Sequence, residues 1–193
     1  MRVLVIYAHP VETSYAASLH ATVLDALRGR HKVRDLDLYA DDFDPRLTRT
    51  ERLDYHDTTA NQVGIENYVE MLRWAEAVVF CFPVWCFGLP AILKGFFDRV
   101  MAPGVAFDID GAKVTPPLSN IGRVVAVTTY GRARWVVRFS IGDLPRAHII
   151  RYFRWFCGRG ARVSYLAHYH MNVSTDASPA AFRTRVAAHM QRL

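Results

Sequence analysis

AVVFCFPVWCFGLPAILKGFFDRVM, residues 77–101, contains the pattern that decides the fold class. Its first part, residues 77–82, is continuously apolar and rich in β-branched and aromatic residues, which is typical of a strand buried on both faces. Residues 90–101 have helical spacing, with proline in the first turn, where helices tolerate it. A strand of this type followed by a helix predicts a parallel sheet with helices on both faces.

Strands and helices alternate along the rest of the chain. Strands are predicted at residues 3–8, 32–39, 77–82, 123–129 and 162–167. Helices are predicted at residues 15–28, 67–75, 90–101, 144–157 and 179–192, and long loops at residues 40–61 and 102–121. Five such units favour the strand order 2-1-3-4-5, which places a ligand crevice at the carboxyl ends of the strands where the order reverses. No repeat or linker interrupts the pattern, so residues 1–193 are predicted to form one domain.

The composition bounds the function class. With 51% hydrophobic and 22% charged residues, the chain is not a disordered one. The net charge of +6 comes without a nucleic-acid-binding motif, which leaves a solvated basic surface or attraction of anionic small ligands. The three cysteines lack metal-type spacing and favour a reducing compartment. No stretch approaches the roughly 20 apolar residues of a membrane span, and the N-terminal apolar run is too short for a signal peptide. We therefore expect a cytoplasmic protein without a metal site.

The loop after the first strand has the features of an anion site. Thr13 and Ser14 stand where the first helix begins, and backbone N–H groups and hydroxyls at a helix N-terminus bind anions. His9 is placed to donate to the same phosphate. A simple helix cap beside a structural histidine would have the same sequence. The chain has no G-x-G-x-x-G and no G-x-x-x-x-G-K-[ST], so neither a Rossmann nor a P-loop site is supported.

Two further loops are predicted to meet the first one in the crevice. Residues 82–90 hold Trp85 and Phe87, which would either flank a planar ring or pack into the core or a subunit interface. Residues 128–131 read Thr-Thr-Tyr-Gly, and the small hydroxyl residues and the glycine of this loop let backbone N–H groups approach the edge of a heteroaromatic ring.

Together these residues resemble the flavodoxin-like NAD(P)H quinone reductases, the family of DT-diaphorase and its bacterial relatives. The family pattern is a strand ending in Phe-Pro, then aromatics, then Pro-Ala-x-Leu-Lys-Gly and Asp-Arg-Val, which residues 82–100 reproduce. Tyr7-Ala8-His9-Pro10 and Thr128-Thr129-x-Gly131 match in the expected order. The resemblance implies a flavodoxin-like three-layer α/β sandwich. It also implies a flavin-dependent NAD(P)H:quinone oxidoreductase with a ping-pong, two-electron hydride transfer through flavin N5.

The resemblance also implies roles for individual residues. The flavin phosphate would be held by His9, Ser14, Tyr15 and Ala16. The isoalloxazine would lie along Pro83, Val84, Trp85, Cys86 and Phe87. Its pyrimidine end would face Thr128, Thr129, Tyr130 and Gly131, of which 129–131 would act in catalysis by stabilising negative charge near flavin N1. The acceptor pocket would include Phe107 and Trp135. Arg132 and Arg134 are further candidates for the same charge or for the phosphates of NAD(P)H.

Cofactor and assembly are expected from the same resemblance. FAD is the expected flavin, because residues 40–61 are long enough to cover an adenine, with FMN as the alternative. NAD(P)H is the expected co-substrate and a homodimer the expected assembly. The chain departs from its relatives at Cys86, where Trp is usual, at Tyr130, where Gly is usual, and in lacking the His of the DT-diaphorase relay.

Other functions remain open on this evidence. The alternatives are a nitro- or azo-compound reductase and a flavin-bearing ancillary subunit of a potassium efflux system, which would need a membrane partner. An electron carrier like flavodoxin itself is disfavoured by the sequence pI of about 9.5.

Overall fold

The computed structural model describes residues 1–110, 113–115, 117–158 and 160–193. Its strands are β1 (Arg2–Tyr7), β2 (Lys32–Asp37), β3 (Ala77–Pro83), β4 (Asp108–Asp110), β5 (Lys113–Thr115), β6 (Arg123–Thr129) and β7 (Arg162–His168). Five of them form one parallel sheet in the order β2-β1-β3-β6-β7. This is the predicted order 2-1-3-4-5, and the predicted fold class is confirmed.

The helices connect these strands. They are α1 (Tyr15–Leu27), α2 (Arg49–Leu53), α3 (Glu66–Trp74), α4 (Ala91–Val100), α5 (Leu144–Ala147), α6 (Arg154–Phe156) and α7 (Ala177–Met190). Short 3₁₀ turns lie at Ala60–Gln62 and Met171–Val173, and π-helical segments at Val136–Ile141 and His148–Phe153. β2 ends two residues earlier than predicted, because the Asp37 carboxylate accepts the N–H groups of Tyr39 and Ala40 (3.0 and 3.2 Å) and starts a turn.

The sheet separates two apolar layers. All seven residues of β3 are buried, as the continuous apolar run predicts. Alternate residues point to opposite faces, so Val78 and Phe80 pack with α3 and α4, whereas Val79 and Cys81 pack with α1 and α7. Burial on both faces leaves only the strand ends free to carry polar chemistry.

Both predicted long loops contain regular structure. Within residues 40–61, Thr48 and Glu51 form a capping box that starts α2. The Glu51 N–H donates to Thr48 Oγ1 at 3.2 Å, and the Thr48 N–H donates to Glu51 Oε2 at 2.7 Å. Within residues 102–121, β4 and β5 pair as an antiparallel hairpin in which Asp108 lies opposite Thr115. The predictions of unstructured loops were therefore wrong. Residues 111, 112 and 116 of the second loop lie outside the described residues.

The stretch after β6 also differs from the prediction of one helix over residues 144–157. Helical structure begins earlier, in the π-helical segment Val136–Ile141, then breaks at Gly142 and Asp143, whose φ angles are 88° and 47°. It resumes through α5, the second π-helical segment and α6. The β-branched residues of the first segment have low helix propensity, which is why its sequence did not predict a helix.

The packing of residues 40–61 against α4 depends on Gly95. A Cβ placed on this glycine would overlap the carbonyl oxygen, Cα and Cβ of Pro45. We predict that Gly95→Ala lowers the free energy of unfolding by about 1–3 kcal/mol, the usual cost of overpacking. Urea unfolding followed by circular dichroism measures this. Gly122→Ala is the matched control, because a Cβ on Gly122 would have no atom within 4 Å, and an equal loss in both variants would contradict the prediction.

Candidate functional site

The carboxyl ends of β1, β3 and β6 lie side by side, so the three loops that follow these strands meet at one edge of the sheet. The Val84 N–H donates to the Thr129 carbonyl oxygen at 2.8 Å, which joins the second loop to the third. The His9 and Trp85 rings lie 5.4 Å apart between centroids, which brings the first loop against the second. The structure thus brings together the loops that were predicted to form the crevice.

The start of α1 is a cluster of hydrogen-bond donors. Ser14 caps the helix, and its Oγ accepts the Ala17 N–H at 3.0 Å, which leaves the hydroxyl proton free to donate. The N–H groups of Tyr15 and Ala16, in the first turn, have no acceptor among the described residues. Uncommitted donors at the positive end of a helix are the chemistry that a phosphate group requires.

His9 adds a donor of defined orientation to this cluster. Its Nδ1 accepts the Val11 N–H at 3.0 Å, so the neutral ring carries its proton on Nε2. Burial lowers the pKa of His9 below its ordinary value, which keeps the ring neutral near pH 7. The side chain of Tyr15 is committed elsewhere, because its hydroxyl donates to the Pro179 carbonyl at 2.8 Å, and Ala16 is buried. Tyr15 and Ala16 therefore reach a phosphate through their backbone N–H groups.

Residues 85–88 form a tight hairpin turn. Trp85 and Gly88 exchange backbone hydrogen bonds of 3.3 and 2.8 Å, and the two residues between them, Cys86 and Phe87, have φ angles of 48° and 58°. Left-handed conformations at two non-glycine residues are uncommon. The turn leaves the Trp85 side chain 41% exposed beside His9, where its flat face is available to a planar ring. The Cys86 thiol is free and exposed.

The Tyr130 side chain was predicted to face the crevice, but it points into the protein interior. Its side chain is only 1% exposed, and its hydroxyl lies 2.6 Å from both Asp143 Oδ1 and the Tyr165 hydroxyl. The Tyr130 N–H donates to the His168 carbonyl at 2.8 Å, so it is not free to stabilise a ligand. Burial and the Tyr165 and Asp143 contacts raise the pKa of Tyr130 well above its ordinary range. The structure therefore assigns Tyr130 to a buried network.

Thr128 and Thr129 are the last two residues of β6, and Gly131 lies in the loop that follows. Thr128 is fully buried, and its Oγ1 has no hydrogen-bond partner among the described residues. The Thr129 carbonyl is occupied by Val84, whereas the Gly131 N–H has no acceptor in the described part of the chain. A Cβ at Gly131 would lie 2.9 Å from Asn172 Oδ1, so packing against Asn172 accounts for this glycine. Of the three predicted catalytic residues, Gly131 offers the free backbone donor.

Phe107 and Trp135, the predicted pocket residues, lie in different surroundings. Phe107 stacks on Phe156 with ring centroids 5.8 Å apart and packs against the core. Trp135 is 66% exposed and lines a surface depression with Phe139 and two arginines. No contact joins the two residues in the described structure, and a pocket that contains both remains a prediction.

The sequence analysis missed the network around Asp143. Tyr169 stacks on Tyr130 at 4.6 Å and its hydroxyl lies 3.5 Å from Asp143 Oδ2, so three tyrosines surround one carboxylate. The sequence does contain a feature that points to this network, because Asp143 is the single acidic residue between Asp110 and Asp176. An isolated carboxylate in a basic stretch indicates that its side chain has a specific hydrogen-bond partner in the fold.

Comparisons with known proteins show which family the chain belongs to. Residues 1–192 match the family model described as a flavodoxin-like fold. Human ribosyldihydronicotinamide dehydrogenase [quinone] is 33% identical, over 81% of this chain and 77% of that protein. The chain belongs to the flavodoxin-like quinone reductase family. This confirms the resemblance drawn from the sequence.

Solved structures with the same fold cover the full length of the chain or nearly so. Smu.1420 from Streptococcus mutans is 28% identical with a TM-score of 0.89, and covers 100% of both chains. The NAD(P)H:quinone oxidoreductase of Methanothermobacter marburgensis, at 21% identity and a TM-score of 0.83 over 99% of this chain and 98% of its own, shares the fold.

No helix among the described residues has both the length and the apolar character that crossing a membrane requires. The same residues contain no group of three His, Cys, Asp or Glu side chains placed to hold a metal ion.

Removal of the Tyr130 hydroxyl tests whether this residue acts through the buried network. We predict that Tyr130→Phe lowers the free energy of unfolding by about 1–3 kcal/mol, because the Asp143 carboxylate loses its short donor. Thermal and urea unfolding measure this. Tyr39→Phe is the control, since Tyr39 is 37% exposed and its hydroxyl has no partner among the described residues. A Tyr130→Phe protein of unchanged stability would contradict the assignment.

Proposed function

We propose that the protein is a flavin-dependent NAD(P)H:quinone oxidoreductase. The observation that carries this proposal is the donor cluster at the start of α1, beside exposed Trp85 and the Gly131 N–H. These groups lie on the three loops that follow β1, β3 and β6, at the point where the strand order reverses. The name of the human relative, a ribosyldihydronicotinamide dehydrogenase [quinone], supports a nicotinamide donor and a quinone acceptor.

The residues of the chain would bind and orient the reactants. A bound flavin would supply the redox chemistry, which is two-electron transfer from the nicotinamide donor to the acceptor. The N–H groups of Tyr15 and Ala16, the Ser14 hydroxyl and His9 Nε2 would hold the phosphate. The Gly131 N–H would donate to the pyrimidine edge, where negative charge develops on reduction. Trp85 would lie along the ring and exclude water from it.

The choice between FAD and FMN depends on residues 40–61. FAD was expected because this segment was long enough to cover an adenine. In the structure, Arg99 of α4 donates from Nε and Nη2 to Glu51 Oε1 at 2.8 and 2.6 Å, and Asn61 donates to the Pro103 carbonyl at 3.0 Å. These bonds hold the segment against α4 and the residues that follow it. A segment held in this way is less available to cover an adenine, so its packing supports FMN, and we propose FMN as the bound flavin.

An absorbance spectrum and anaerobic reduction test the proposal. We expect the purified or reconstituted protein to show flavin absorbance that bleaches within seconds after NADPH or NADH is added, with recovery on addition of a quinone. Mass spectrometry of the released cofactor should identify FMN. A flavin that neither donor bleaches would favour an ancillary subunit of a potassium efflux system. A protein that takes up no flavin would contradict the proposed function. Recovery with azo or nitro compounds but not with quinones would select the alternative acceptors.

We also propose that the protein is a homodimer. Four large apolar side chains on residues 135–155 are more than half exposed: Trp135 (66%), Phe139 (81%), Leu144 (62%) and Trp155 (59%). Exposed apolar residues concentrated in one stretch are typical of protein–protein contact surfaces. The cytoplasmic location stays a prediction.

Loss of this apolar surface tests the assembly. We expect the native protein to elute with about twice the chain mass of 22.0 kDa in size-exclusion chromatography with light scattering. Phe139→Asp should shift it to the monomer mass, because a charge would replace the most exposed of the four side chains. Val173→Asp, at a site 66% exposed outside this stretch, is the control. A monomeric native protein would contradict the proposed dimer.

A further inference from the structure

A cavity of about 690 Å³ lies at the free edge of the sheet, beside β7. Five arginines line it: Arg134, Arg138, Arg146, Arg151 and Arg185. They come from the helical stretches on both sides of Asp143 and from α7. A cavity of this size accommodates a small-molecule ligand.

The charge in this cavity is not neutralised by the protein. Asp143 is the single carboxylate among its lining residues, and it already accepts hydrogen bonds from Tyr130 and Tyr169. None of the five arginines forms an ion pair with a described residue, whereas Arg34, Arg46 and Arg99 each do. Five arginines and one carboxylate line the cavity, so its lining carries a net charge of +4.

Two of the arginines are held in place by other contacts. Arg185 donates from Nη2 to the Ala167 carbonyl at 3.2 Å, on the unpaired edge of β7. The Arg146 guanidinium lies 5.7 Å from the centre of the Tyr165 ring. These contacts hold cationic groups at the cavity wall without neutralising them, and guanidinium groups bind phosphate oxygens with bidentate geometry.

A single buried residue, Tyr130, lies between the cavity and the loop that follows β6. Tyr130 directly follows Thr129 at the end of β6, and its hydroxyl lies 2.6 Å from Asp143 Oδ1 in the cavity wall. The loop that would face the flavin and the arginine cavity are therefore one tyrosine side chain apart.

We propose that the arginine cavity binds the pyrophosphate of the NAD(P)H donor. This inference rests on the proposed function, and it adds a phosphate site formed by residues of the 134–151 stretch and α7. The group bound in the cavity would be a nucleoside diphosphate, which could belong to the NAD(P)H donor or to a separate nucleotide. The experiment distinguishes these two sources.

Donors with and without phosphate provide the comparison. Ribosyldihydronicotinamide has the same reducing ring as NADPH but no phosphate group. In the flavin-loaded protein, we expect Arg138→Gln/Arg151→Gln to raise the KM for NADPH at least tenfold and to leave the KM for ribosyldihydronicotinamide within about twofold. Neither arginine side chain forms a hydrogen bond or an ion pair with a described residue, so the fold should persist. Arg154→Gln is the matched control, because Arg154 is exposed on the same helical stretch but does not line the cavity.

Calorimetric titration with ADP measures the phosphate site without turnover. We expect ADP to bind the native and Arg154→Gln proteins, to bind the double variant at least tenfold more weakly, and to compete with NADPH in steady-state assays. A KM that rises equally for both donors, or an equal effect of the control, would overturn the proposal. ADP binding that is lost in the double variant while the KM for NADPH is unchanged would assign the site to a separate nucleotide and also overturn it. If neither donor reduces the flavin, the proposed function fails. A titration with NADPH in place of ADP then decides, because arginine-dependent binding of NADPH supports the phosphate site and binding that does not depend on the arginines overturns it.

Discussion

Burial of β3 on both faces is the constraint on which the rest of the structure depends. Each of its seven residues is removed from water, and its backbone groups are paired with β1 on one side and β6 on the other. A central strand of this type cannot carry polar side chains along its length. Chemistry is therefore confined to the loop that follows Pro83 and to the loops of the two neighbouring strands. The same burial places the loops that hold Trp85, His9 and Gly131 at one edge of the sheet, although these residues are far apart in sequence.

The sequence predicted those parts of the fold that depend on apolar periodicity. The five sheet strands and their order follow from runs such as residues 77–82, because burial on both faces leaves a pattern that is visible in the sequence. The predictions were wrong where local side-chain hydrogen bonds or positive φ angles determine where a helix begins or ends. The capping box at Thr48 and Glu51 starts a five-residue helix without an apolar stripe. The helix break at Gly142 and Asp143 depends on positive φ angles, which apolar periodicity does not report.

The candidate site was predictable to a similar extent. Ser14 and His9 stand at a strand-to-helix junction whose donor chemistry can be inferred from residue type and position. The orientation of Tyr130 could not be inferred, because it depends on Asp143, Tyr165 and Tyr169, which are 13, 35 and 39 positions away in sequence. A tyrosine at a loop position where relatives usually have glycine was expected in the crevice. Its large ring instead fills space beneath the loop, where stacking on Tyr169 and two short hydrogen bonds offset the cost of burying its hydroxyl.

The buried network also determines the electrostatics of the neighbouring surface. Asp143 is held with a left-handed φ of 47°, a conformation that costs on the order of 1 kcal/mol or more for a non-glycine residue. The hydrogen bond from Tyr130 to its carboxylate is of the charge-assisted kind, which contributes about 1.5–3 kcal/mol and offsets this strain. Tyr130 and Tyr169 bind the Asp143 carboxylate, and no ion pair joins this carboxylate to the described arginines that line the cavity. The positive charge of Arg138, Arg146 and Arg151 therefore stays available to a ligand. Tyr130, whose backbone lies in the loop after β6, thus also contributes to the positive charge of the cavity through its bond to Asp143.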